Sequence, residues 1–146
     1  MYNGKRLAFD FGSVRIGVAV TDNSAILASP KKAFANSENL EKALEDILLE
    51  IDPVYIAVGL PKQLSGTEGT KFAEVQIFIE TLKRIFSVPI FGIDERYTTV
   101  SAASKLREIG RDARTSKDLI DSASAVGILE IALQLEKNGE LDKCAL

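Results

Sequence analysis

Asp10, Glu95 and Asp121 are the side chains of this 146-residue sequence whose types and surroundings most plainly permit chemistry. Asp10 sits within the apolar run Leu7-Ala8-Phe9-Asp10-Phe11, just before Gly12. On an extended strand Arg6, Ala8 and Asp10 share one face, and Leu7, Phe9 and Phe11 the other. Glu95 follows Ile93-Asp94 at the end of another apolar run. Asp121 has Ser124, Ala125, Ile128 and Ala132 at helical spacing, all small or apolar, so a helix there would turn its carboxylate toward the core. A buried acid without a partner costs on the order of several kcal/mol, and a cation removes that cost. Each acid also has a plainer reading. Asp10 could cap a turn, Glu95 could be a solvated loop charge, and Asp121 could pair with Lys or Arg or be protonated. Asp118, one turn earlier, could assist, but it reads better as a helix cap. Oxygen ligands from a first strand, a later strand and a last helix suit Mg²⁺ or Mn²⁺. Two such ions about 3.5–4 Å apart would activate a water and stabilise the leaving 3′ oxygen of a phosphodiester.

Composition narrows the alternatives. The chain has no histidine and one cysteine, Cys144. Ser-His-Asp triads, Cys-His pairs, imidazole bases and thiolate metal sites are therefore excluded. Hydrolytic chemistry must rest on carboxylates, Lys, Tyr, hydroxyls or an oxygen-bound hard cation. Cys144, so near the C-terminus, reads as a free thiol on a loose tail. Net charge is −3, but the stretch from Arg96 to Lys117 carries six basic residues against Glu108 and Asp112. Such a stretch could track a phosphate backbone or be a solvated helix face. No apolar run approaches the ~18 residues of a membrane helix, and the N-terminus lacks a signal core. A cytoplasmic location is the expectation, and the length suits one domain, residues 1–146.

The elements that must position these groups can be read from periodicity. Leu7–Phe11 and Arg15–Thr21 are strands joined by a short link, hence a hairpin. Ile26–Ala33 is a weaker third strand, broken near Pro30 and placed at an edge. Ser37 or Asn39 caps a helix running to Ile51, with Leu40, Ala43, Leu44, Ile47, Leu48 and Ile51 on its apolar side. Val54–Gly59 is a continuous apolar run, as in a central strand covered on both faces. A helix spans about Thr70–Phe86, and Val88–Ile93 is a fifth strand. Thr98–Ile109 is a short helix with Gly110 at its C-cap. Thr115 and Asp118 resemble a capping box before a last helix to about Asn138. The whole is an α/β fold, a five-stranded mixed sheet flanked by helices.

Further groups could hold nucleic acid. The loop from Gly59 to Gly69 has three glycines that let backbone approach a ligand, and Lys62 could meet a phosphate. It could equally be a plain connection. Arg15 lies near Asp10 in sequence and could neutralise the acidic cluster or hold a phosphate. Arg96, Arg111 and Arg114 are the candidates within the basic stretch.

Taken together, these blocks resemble a known family. Asp10-Phe11-Gly12-Ser13-Val14-Arg15-Ile16-Gly17-Val18-Ala19 is similar to the D-x-G-x-x-R-I-G-x-A opening of the YqgF (RuvX) family. VGLP with SGTEG, Asp94-Glu95-Arg96-Tyr97-Thr98-Thr99, and Asp121-Ser122-Ala123-Ser124-Ala125 match its later blocks in order, so the resemblance runs from about Lys5 to Gln134. Ser124 stands where the family usually has alanine, and Val14 replaces a commonly basic residue. The resemblance implies a ribonuclease H-like fold and a nuclease whose acids fall on Asp10, Glu95 and Asp121. It implies work in 5′-end maturation of precursor 16S ribosomal RNA, or resolution of Holliday junctions. The partner would be RNA or branched DNA, and the protein a monomer or homodimer. In that fold the fifth strand is separated from the first by the fourth, so Glu95 must span about 10 Å between strand axes.

Two rival classes share part of this pattern. Actin-like ATPases and sugar kinases share a D-x-G phosphate motif but need two lobes, and this chain provides one. A non-catalytic RNA- or protein-binding module would keep the fold without the chemistry, and the presence of all three acids argues against it.

Overall fold

The computed structural model describes residues 2–61, 69–94 and 120–146. Its strands are β1 (Arg6–Phe11), β2 (Arg15–Thr21), β3 (Ala28–Ala35), β4 (Tyr55–Leu60) and β5 (Ile90–Asp94). The helices are α1 (Leu40–Ile51), α2 (Gly69–Ile85) and α3 (Ala123–Lys137), followed by a 3₁₀ turn at Leu141–Cys144. The strands form one sheet in the order β3-β2-β1-β4-β5. β1 pairs antiparallel with β2 and parallel with β4, and β4 pairs parallel with β5. The first strand is therefore central, and β4 separates it from β5.

The alternation read in β1 divides the core in two. Leu7, Phe9 and Phe11 lie with Leu44, Ile51, Val75, Phe78, Ile79 and Leu82 of α1 and α2. Phe9 and Phe78 meet edge to face at 5.6 Å. Fully burying side chains of this size contributes about 1.5–3 kcal/mol each. On the opposite face Ala8, Ala19 and Ala57 meet Ala125, Ile128, Leu129 and Ala132 of α3. Alanines on both sides let α3 settle close to the sheet, which determines where its first turn stands.

The sequence reading and the structure differ at several ends. β3 starts at Ala28 rather than Ile26 and runs unbroken through Pro30 to Ala35. It is an edge strand, where a missing N–H need not cost a ladder bond. Asn39 occupies the N-cap of α1 but makes no side-chain cap bond. Ser37 Oγ instead accepts from Asn39 N at 3.3 Å. The C-terminus is not a loose tail. Leu146 N donates to Ile90 O at 2.9 Å and Ala145 bridges to Phe91, which covers part of the β5 edge. Cys144 is a free thiol as expected, but half-buried, and burial, then Glu140, raises its pKa. The expected helix at Thr98–Ile109, its Gly110 cap and the Thr115–Asp118 box lie outside the described residues. Among the described residues no helix is long and apolar enough to cross a membrane.

Candidate active site

Asp10 stands near the carboxyl end of central strand β1, directly opposite Gly17 of β2. Residues directly opposite in an antiparallel pair point to the same face, here the face that carries Ala8 and α3. Gly17 leaves that face bare, and the chain entering α3 fills the space. A Cβ on Gly17 would lie 2.7 Å from the carbonyl oxygen of Asp121 and 3.1 Å from the Cα of Ser122. The main chain of Asp121 is thus packed on the residue paired with Asp10. This is how a residue more than a hundred positions away reaches the same corner of the sheet. It is also the end of parallel strands β1, β4 and β5 where sites of α/β sheets collect.

Both carboxylates are half-buried. Arg15, at the start of β2, brings its Nε to 3.1 Å from Asp121 Oδ2, with the two side chains 37% and 28% exposed. A pair this open to solvent contributes about 0–1 kcal/mol. The expectation that Asp121 points into the core is thereby corrected. The carboxylate lies at the rim, on Arg15, and the fully buried side chain is its neighbour Ser122. Ser124 is exposed, while Ala125, Ile128 and Ala132 are buried as expected. The helix is also interrupted, with Ile120 and Asp121 helical, a turn at Ser122, and α3 proper from Ala123.

Glu95, the third predicted acid, follows directly on the end of β5 and lies outside the described residues, as do Lys62, Arg96, Arg111 and Arg114. Among the described residues no three acids form a group able to hold a metal ion. Asp10 and Asp121 supply two hard oxygen donors, which suit Mg²⁺ or Mn²⁺, so the donor chemistry fits the ion that the sequence implies. Two neighbours of the predicted acids were not singled out by the sequence: Gly17 and Ser122. The signal for Gly17 was a glycine inside a β-branched strand, which marks a close backbone approach.

Gly17→Ala tests this packing. The added methyl would meet a backbone carbonyl, which cannot swing aside as a side chain can. The expected loss of stability is about 1–3 kcal/mol, the usual range for overpacking, measured by urea denaturation followed by circular dichroism. An unchanged midpoint would show that the start of α3 does not rest on β2.

Residues 4–135 match the RuvX family model, described as Holliday junction resolvase. A protein of Cutibacterium acnes named "Putative pre-16S rRNA nuclease" is 41% identical over 138 residues, covering 94% of this chain and 86% of that protein. A protein of Streptomyces coelicolor with the same name is 40% identical, covering 94% and 84%. Among solved structures, RuvC of T. thermophilus in complex with a Holliday junction substrate superposes with a TM-score of 0.65 at 15% identity, covering 97% of this chain and 99% of that one. The Fowlpox virus resolvase in complex with Holliday junction DNA gives 0.55 at 13%, covering 89% and 97%. At such identities the likeness concerns the fold, which is ribonuclease H-like. With a matching family model over nearly its full length and relatives at about 40% identity, the chain belongs to the RuvX family.

Proposed function

We propose that this protein is a divalent-metal-dependent endonuclease that processes the 5′ end of precursor 16S ribosomal RNA in the cytoplasm. The observation that carries the reading is the packing of the Asp121 main chain on Gly17, opposite Asp10, near the carboxyl end of the parallel strands. The names of the relatives support the substrate, and the absence of histidine supports carboxylate chemistry. Asp10, Asp121 and Glu95 would hold the ion or ions. A bound Mg²⁺ or Mn²⁺ would supply Lewis acidity and a polarised water for phosphodiester hydrolysis. Arg15 balances the charge of Asp121 and stands where a phosphate can meet it. Lys62, Arg96, Arg111 and Arg114 would hold the nucleic-acid backbone.

A second reading, resolution of four-way DNA junctions, is favoured by the family description and by the junction-bound structures of similar fold. Symmetric resolution needs two active sites and hence a homodimer. One preparation should be offered a precursor 16S transcript and a four-way junction in parallel, with Mg²⁺ or Mn²⁺. We expect cutting of the transcript, its loss on adding a chelator, and an intact junction. Cutting of the junction alone, by a dimer, would replace the first reading with the second. Cutting of neither would reduce the protein to a binding module.

A further inference from the structure

We propose that Ser122 is a positioning residue, whose hydroxyl fills a break between two strands and so sets the place of Asp121. The inference rests on the metal-nuclease reading of Asp10 and Asp121. The β2–β3 ladder changes register between Ile16, paired with Phe34, and Val18, paired with Lys31. β3 therefore has one residue more than β2 across this step, which is a β-bulge, and bulges interrupt ladder bonding. The Ser122 hydroxyl stands at that interruption. It accepts from Val18 N at 3.0 Å and donates to Lys31 O at 2.6 Å. The residue is 0% exposed, and its bond to Val18 N is buried.

The use of this serine is unusual for its position. Ser122 is the N-cap of α3, yet its side chain makes no cap bond to its own helix. A serine there ordinarily satisfies an N–H of the first turn. Here the hydroxyl ties the helix start to two strands instead. Its neighbour Asp121 is held on the other side by contact with Gly17. Together the two contacts clamp consecutive residues of the α3 entry onto β2, one by shape and one by hydrogen bonds. A carboxylate carried on so short a side chain follows its Cα, so whatever fixes the Cα of Asp121 fixes the reach of its oxygens toward Asp10. Groups that orient metal-holding residues are typically worth about 10–100-fold in metal affinity or activity.

The test uses the full chain with Ser122→Ala, Ser122→Thr and Asp121→Asn. Four quantities are measured: Mn²⁺ binding by calorimetry, transcript binding, single-turnover cleavage of the precursor transcript, and exchange of the Val18 amide. Ser122→Ala should exchange Val18 faster and lose about 10–100-fold in Mn²⁺ affinity or cleavage rate, with transcript affinity unchanged. Ser122→Thr, which keeps the hydroxyl, should recover most of the loss. A folded Ser122→Ala with fast Val18 exchange but wild-type Mn²⁺ binding and cleavage would overturn the proposal, since the serine would then support the fold alone. Should Ser122→Ala not fold, Ser122→Cys keeps the volume, weakens both bonds, and is read against the same two outcomes. Asp121→Asn separates the two levels. If it cuts like the wild type, the metal-site reading falls and this inference with it. If it is inactive while Ser122→Ala is unimpaired, only the positioning role falls.

Discussion

Asp10→Asn is expected to lower divalent-metal-dependent cleavage of the precursor transcript by about 10³-fold, the scale of losing a group that acts on the transition state. The substitution keeps the shape and removes the charge. Asp10 is half-buried between Phe9 and Phe11, which are buried on the other face of β1. The β1–β2 pairing on either side of it uses main-chain groups that the change does not touch. The fold should therefore survive, and the thermal midpoint should stay close to that of the wild type. On the proposed function the ion would lose one of its anionic ligands, and a neutral amide is a poor substitute for a hard cation. Excess Mn²⁺ should recover a small part of the rate by mass action. An Asp10→Asn protein that cuts as fast as the wild type would remove Asp10 from the chemistry and leave the turn-capping reading in its place.

Arg6→Met should have the largest effect on stability, a loss of about 3–5 kcal/mol, because it strands a partner charge in the interior. Arg6 opens the strand that Asp10 nearly closes, on the same face. Its guanidinium meets Glu136 of α3 through two bonds, Nε to Oε1 at 3.2 Å and an Nη to Oε2 at 2.6 Å. It also donates to the carbonyls of Gly4 at 2.6 Å and Tyr2 at 3.0 Å. The two side chains of the pair are 5% and 12% exposed. Tyr55 lies beneath, with the guanidinium carbon 5.8 Å from its ring centroid. Burial, reinforced by Glu136, raises the pKa of its phenol, so it stays neutral beside the pair. Removing Arg6 leaves Glu136 without its main partner and uncouples the N-terminal residues from α3. Urea denaturation of Arg6→Met, Glu136→Leu and the double variant measures this. The double variant should recover much of either loss, since a buried pair replaced by apolar groups is often close to neutral. A single-variant loss under about 0.5 kcal/mol, the range of ordinary surface changes, would show that the pair is held loosely.

These two predictions concern opposite ends of β1 and should separate cleanly. Arg6→Met, studied where it is folded, should cleave at the wild-type rate, because the contacts of Arg6 are with Tyr2, Gly4, Glu136 and Tyr55, at the other end of β1 from Asp10. Asp10→Asn should leave the Arg6–Glu136 pair intact.

The strands and helices around the site were legible before any coordinates. Their signals are local, and period-2 alternation in Leu7–Phe11 and 3,4 spacing in Leu40–Ile51 each report which face is buried. The edge position of β3 followed from Pro30, and the central position of β4 from its unbroken apolar run. The errors lay at element ends, where neighbours from elsewhere in the chain decide. Ser37 and Asn39 looked interchangeable as caps. The tail carrying Cys144 looked loose because nothing local shows that Leu146 finds the free carbonyl of Ile90.

The sequence by itself determined the chemistry available to this protein. With no histidine and one cysteine, what remains is carboxylates, Lys, Tyr, hydroxyls or an oxygen-bound hard cation, and the ordered blocks around Asp10, Glu95 and Asp121 mark the family. Only the tertiary structure decided where the chain around Asp121 comes to rest, on Gly17 opposite Asp10. Asp121 seemed to belong in the core because the residues after it at helical spacing are apolar. It sits instead at the rim on Arg15, while Ser122 takes the buried place and bonds to both β2 and β3. The reason is that helical spacing reports direction around one axis but not how that axis lies on the sheet. Here a missing side chain at Gly17 and an extra residue in β3 set that placement, and neither exists as a contact until the strands have paired.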